Sequence, residues 1–184
     1  MIGRRVFLRL EWALSLVLVV VAVGWAHLRD LPLARAGAPH LGDVAGGAAV
    51  GALLWLCIPL LRRAPAMRGL WDEVLAPFSR TLRPHDVVIV ALLSGTTEEL
   101  FFRGVLLPEL GLVLSSVLFG ALHALNRVYA LWATLMGAAF ALLVLAGGSL
   151  ASAMAAHATY NLGALLVLRR SPPLPAPPGG TRAP

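Results

Sequence analysis

The chain has 184 residues, 59% hydrophobic and 13% charged, with a mean hydropathy of +0.82, whereas a soluble domain carries about 25% charged residues. The apolar residues come in long blocks with the charges confined between them, which excludes a soluble α/β enzyme and predicts an all-α, polytopic membrane helix bundle. The net charge of +6 rests on fifteen basic residues, all arginine; their place at the block ends makes them a topology signal and argues against nucleic acid as a partner.

Runs long enough to cross a hydrocarbon core of about 30 Å fall near residues 6–26, 44–61, 87–107, 110–125, 128–147 and 149–168, which predicts about six transmembrane helices. The fourth run is short, and the third contains Glu98, Glu99 and Arg103. Arg4, Arg5 and Arg9 open the first run, Arg62, Arg63, Arg68, Arg80 and Arg83 fill the second loop, Arg127 lies in the fourth, and Arg169, Arg170 and Arg182 follow the last. All of these fall on one side of a six-span arrangement, so the positive-inside rule puts both ends in the cytoplasm. Arg4 and Arg5 before an apolar run, with Ala34, Arg35 and Ala36 beyond it, suggest a secretory signal. The run is too long and the small-residue site too distant for cleavage, and a retained anchor is expected.

Residues 1–65 are therefore expected to form two N-terminal membrane helices. Residues 66–86 carry Met67, Leu70, Trp71, Val74, Leu75, Phe78 and Leu82 at helical spacing opposite Arg68, Asp72, Glu73, Arg80 and Arg83. That pattern predicts an amphipathic helix lying on the membrane surface, kinked at Pro77. Gly42, Gly46, Gly47 and Gly51 offer two small-x-x-x-small spacings for close helix packing. The stretch 169–184 is rich in proline and is expected to be a disordered tail. Lysine is absent and alanine, leucine and arginine are abundant, a composition expected of a GC-rich bacterial genome and so of a bacterial inner membrane. The lone Cys57 in an apolar run supplies neither a disulfide framework nor a cysteine metal site.

An ionisable residue inside a span costs at least about 2.5–3.5 kcal/mol, so each needs a partner or a function. Three clusters qualify: Glu98, Glu99 and Arg103; Phe119 and His123; His157 and Asn161. Glu99 and Arg103 are four residues apart with the acid first, the favoured orientation for a helix ion pair. Glu98 points about 100° away without a local partner and is a candidate general base. His157 and Asn161 share one face of the last span. A glutamate and two histidines converging from separate helices can do one of two jobs. Glu98, His123 and His157 could ligate a divalent metal such as zinc, leaving a position for water. Alternatively Glu98 activates water without a metal, His123 shares the proton work, and His157 with Asn161 donates hydrogen bonds to the oxyanion.

This ordered set resembles the CPBP family of intramembrane proteases, also called the ABI or CAAX-protease-like family. Its pattern is a paired glutamate followed by arginine, then F-x-x-x-H, then H-x-x-x-N, on successive membrane helices. Here the matching residues are Glu98, Glu99 and Arg103, then Phe119 and His123, then His157 and Asn161, within residues 87–168. The resemblance implies an endopeptidase in which Glu98 activates water, His123 assists or ligates, His157 and Asn161 stabilise the oxyanion, and Glu99 with Arg103 braces the glutamate helix. The family is described both as metalloproteases and as metal-free glutamate proteases. Its bacterial relatives are linked to bacteriocin processing or immunity and to C-terminal sorting signals, as in the myxosortase group. The expected partners are the lipid bilayer and a membrane-anchored protein or peptide substrate. A non-catalytic immunity or scaffold protein that uses the same polar cavity for binding is the alternative, and a proton or ion carrier is a third reading.

Overall fold

The computed structural model describes residues 3–33 and 40–172. The Ala34 to Ala36 site and the tail from residue 173 onward lie outside the described residues. Within the described residues every regular element is helical, and five helices are long and apolar enough to cross a membrane.

The first, α1 (Arg4–Leu28), is apolar around its circumference yet buries only Ser15, Ala22 and Ala26 against the protein. Such a helix is stable only if lipid covers the rest of it. Its buried stripe lies along α4 (Pro84–Phe101). Arg4 donates to both carboxylate oxygens of Asp86 at 2.6 and 2.7 Å, and the Ser15 and Thr97 hydroxyls meet at 3.4 Å. Both contacts span 82 residues, so α1 and α4 run parallel. The second helix, α2 (Leu41–Leu61), lies on α7 (Leu150–Arg170) at the places where α2 lacks side chains. A Cβ on Gly47 would strike the backbone of Ser152, and one on Gly51 the backbone of Ala156. These contacts advance together along both helices, so α2 and α7 are parallel as well. Gly42 and Gly46 face open space, and only the second of the two glycine spacings is used.

Between α2 and α4 lies the amphipathic helix α3, residues 65–81, which buries Met67, Trp71, Ala76 and Ser79. It ends five residues earlier than the pattern predicted. The kink expected at Pro77 takes the form of a π-helical turn, Trp71–Leu75, just before the proline. Pro77 has no N–H for the preceding turn and its ring crowds that turn's carbonyl, and a widened turn accommodates both. The same device recurs at Phe102–Leu106, two residues before Pro108.

After that second π turn comes α5 (Leu107–Leu122), which breaks at Gly111 with φ 75° and ψ 175°, a conformation open essentially to glycine alone. The stretch Pro84–Leu122 would be about 58 Å long if straight, but it folds back at this point. Phe102 packs edge-on against Phe119 at 4.9 Å, and Glu98 faces His123 at 3.5 Å, so the two arms are antiparallel. The six predicted passes thus correspond to five long helices, the third of them a hairpin. Its return arm, residues 112–122, is only about 17 Å long, shorter than the predicted 110–125 because residues 123–126 form a turn. From there α6 (Arg127–Leu145) begins with the Asn126 side chain accepting from the Tyr129 N–H.

One face of the bundle collects the start of α1, all of α3, the start of α4 and the end of α7. Phe7 meets Phe78 at 4.6 Å, Trp71 donates to the Ser171 hydroxyl, and Arg80 donates to the Ser171 carbonyl. Helix α7 therefore runs to Arg170 and Ser171 is tied down, which corrects the expectation of a disordered tail starting at residue 169.

Candidate active site

The hairpin at Gly111 brings α4 and α5 together, and α6 and α7 pack across them. Glu99 is fully buried and Arg103 nearly so. The Arg103 Nη1 donates to Glu99 Oε1 at 2.9 Å, and Nη2 donates to the Gly137 carbonyl on α6 at 2.6 Å. His157 Nδ1, from α7, lies 2.7 Å from the same Glu99 oxygen. The sequence paired Glu99 with Arg103 alone; in the fold this carboxylate joins α4, α6 and α7. The guanidinium also lies near the rings of Phe119 at 4.8 Å, Phe140 at 5.6 Å and Phe102 at 5.7 Å, so its charge is met by a carboxylate and three aromatic rings.

Glu98 stands outside that cluster. Its Oε2 is buried with no hydrogen-bond partner and faces His123 Nε2 at 3.5 Å. His123 sits at the C-cap of α5, stacked on Phe119 at 4.4 Å, with Nδ1 2.8 Å from the Phe119 carbonyl oxygen. A carbonyl can only accept, so Nδ1 carries the proton and the Nε2 of a neutral ring is an acceptor. With the ring neutral, two acceptors face each other, so the pair needs a shared donor.

On the far wall, Phe140 stacks on His157 at 5.0 Å. Asn161 gives one amide hydrogen to Ser94 Oγ at 2.9 Å, which leaves its second hydrogen free. His123, His157 and Asn161 line one cavity of about 90 Å³ together with Phe119, Phe140, Met136, Tyr129, Trp132 and Tyr160. Asn126, in the turn after His123, donates to the Ala66 carbonyl of α3, so this end of the bundle is closed by the amphipathic helix.

Every residue of the three predicted clusters reaches this region, but not as one donor set. Glu98 is paired with His123, whereas His157 turns Nδ1 to Glu99. Among the described residues no three of His, Cys, Asp and Glu are grouped to hold a metal ion. Glu98, His123 and His157 are therefore not gathered as one ligand set in this arrangement, although His123 and His157 are both held through Nδ1, which leaves each Nε2 unclaimed.

Several residues at the site were not singled out from sequence. Trp132 donates to the Tyr160 hydroxyl at 2.7 Å, and both line the cavity. Ser94 orients Asn161. Glu11, on α1, lies one helical turn before Ser15, whose hydroxyl meets Thr97 of α4. The available signal was an acid inside the first apolar run, four residues before the serine.

Residues 81–163 match the family model described as type II CAAX prenyl endopeptidase Rce1-like. The matched stretch is thus similar to the CAAX-protease, or CPBP, family. It begins at the end of α3 and runs through α4, α5, α6 and the part of α7 that bears His157 and Asn161, so it contains every residue of the three clusters. Neither curated proteins nor solved structures yielded a match. The five membrane-crossing helices, with the similarity of this stretch to an intramembrane protease family, make this an integral, multi-pass membrane protein.

Proposed function

We propose that the chain is an endopeptidase that cuts near the C-terminus or membrane segment of a membrane-anchored substrate, with Glu98 as general base and no metal in the reaction. In this reaction a water bound beside Glu98 and His123 gives a proton to Glu98 while its oxygen attacks the scissile carbonyl carbon. The carbonyl oxygen becomes an oxyanion, which accepts the free amide hydrogen of Asn161. His157, held by Glu99 through Nδ1, can donate to it through Nε2 when the ring carries both protons. The C–N bond then breaks, and Glu98 passes its proton to the departing nitrogen. Arg103 neutralises Glu99, which keeps Glu99 out of the proton transfer and His157 in place. A bacterial protein-sorting or peptide-processing role, with both chain ends in the cytoplasm, is the setting this reading favours.

The observation that carries the proposal is the Glu98 and His123 pair: a carboxylate oxygen with no hydrogen-bond partner facing a histidine that lines one cavity with His157 and Asn161. The test uses purified protein in vesicles and a library of tailed membrane peptides. Wild type, Glu98→Gln and His123→Ala are each assayed with and without chelator, alongside metal content by elemental analysis. Chelator-resistant cleavage by wild type, lost in both variants, is the expected result. Stoichiometric metal with cleavage abolished by chelation would overturn the metal-free reaction, and turnover by Glu98→Gln would overturn the assignment of the base. An immunity or scaffold protein would keep its function in the Glu98→Gln variant.

A further inference from the structure

A second concave site lies away from the catalytic residues, where α2 and α7 end side by side. Each of these parallel helices finishes in an arginine pair, Arg62 with Arg63 and Arg169 with Arg170. A groove of about 490 Å³ opens between them and α3. Its floor is apolar, formed by Ile58 from α2, Val167 from α7 and Trp71 from α3, and its rim carries Arg62, Arg63 and Arg68. Asp72 is the acid of the lining, and it is already paired with Arg62 at 2.7 Å, whose guanidinium lies 5.4 Å from the Trp71 ring. Arg63 and Arg68 are exposed and make no ion pair among the described residues. Glu73, the other acid of α3, pairs with neither of them. The lining is left with a surplus of positive charge.

We infer that this groove binds an anionic phospholipid of the leaflet on which α3 lies, with the phosphate on Arg63 and Arg68 and the start of an acyl chain against Ile58, Trp71 and Val167. Three features select a lipid. The arginines follow the last apolar residues of two membrane helices, which sets them at headgroup depth. The apolar floor continues directly into the lipid-covered surface of α2 and α7. Basic pockets between membrane helices on this side recognise anionic headgroups through the same charge balance. A free phosphate would satisfy the rim but leave the apolar floor uncovered.

The test needs no peptidase substrate, so its outcome is independent of the proposed reaction. Full-length protein is reconstituted in phosphatidylcholine containing a minor fraction of phosphatidylglycerol and then extracted into detergent. Phosphatidylglycerol retained per chain is counted by native mass spectrometry. Wild type should retain about one such lipid, and the double variant R63Q/R68Q should retain it with affinity reduced about thirtyfold, from the loss of two surface cations. The control R5Q/R9Q removes the same charge at exposed positions of α1 and should match wild type. Equal losses in both double variants, no retention by wild type, or displacement of the lipid by millimolar inorganic phosphate would each overturn the inference. All variants should melt with wild type, because the substituted side chains are exposed.

Discussion

Replacing Arg103 with methionine keeps most of the side-chain volume and removes the cation on which Glu99 depends. In the structure Glu99 is completely buried and one of its oxygens already lacks a partner. Without Arg103 the carboxylate would hold only the His157 contact, and the Gly137 carbonyl would lose its donor. Breaking a buried pair by deleting one partner costs about 3–5 kcal/mol, and the carbonyl adds about 1 kcal/mol. R103M should therefore lose about 4–6 kcal/mol, enough to unfold a marginally stable protein. The double variant E99Q/R103M removes the stranded charge along with its partner and should recover at least about 2 kcal/mol of that loss. Reversible unfolding in lipid-detergent micelles, run as a double-mutant cycle, measures both numbers. A loss below about 1 kcal/mol in R103M, or a double variant no more stable than R103M, would refute the idea that this pair holds α4, α6 and α7 together.

Three other outcomes follow from the same geometry. Gly51→Ala places a Cβ against the Ala156 backbone, which has no rotamer with which to yield; α2 and α7 should separate at a cost of about 1–3 kcal/mol. Gly46→Ala, facing open space, should be neutral in the same unfolding assay. Gly111→Val has room for its side chain but cannot adopt φ 75° without strain, so it should cost about 1–3 kcal/mol and weaken the hairpin; wild-type stability in that variant would show that the reversal does not depend on glycine. Asn161→Ala removes one oxyanion donor and should lower kcat about a hundredfold to a thousandfold with normal protein levels, and an unchanged kcat in vesicle assays would remove Asn161 from the reaction.

Much of this protein was legible in one dimension because the relevant physics is local or additive. Lipid selects long apolar runs whatever their neighbours, so the helical bundle followed from hydropathy. Four-residue spacing joins side chains on one helix, so the contact between Glu99 and Arg103 and the shared face of His157 and Asn161 could be read directly. Proline acts on its own preceding turn, and a kink at Pro77 was expected for that reason. What the sequence could not supply were relations between segments. Nothing local to Glu99 says that His157, fifty-eight residues on, will take the same oxygen, or that Glu98 will meet His123 and not a third ligand. The two glycine spacings of α2 look alike in sequence, and only packing against α7 decided that Gly47 and Gly51 are the ones in use. Gly111 is one glycine among eighteen, and its role emerged from the packing of Phe102 on Phe119, which requires the chain to turn back there. Hydropathy and spacing determined which residues must be buried and which must be paired; tertiary contact, by bringing helices of opposite direction to the same depth, decided with whom.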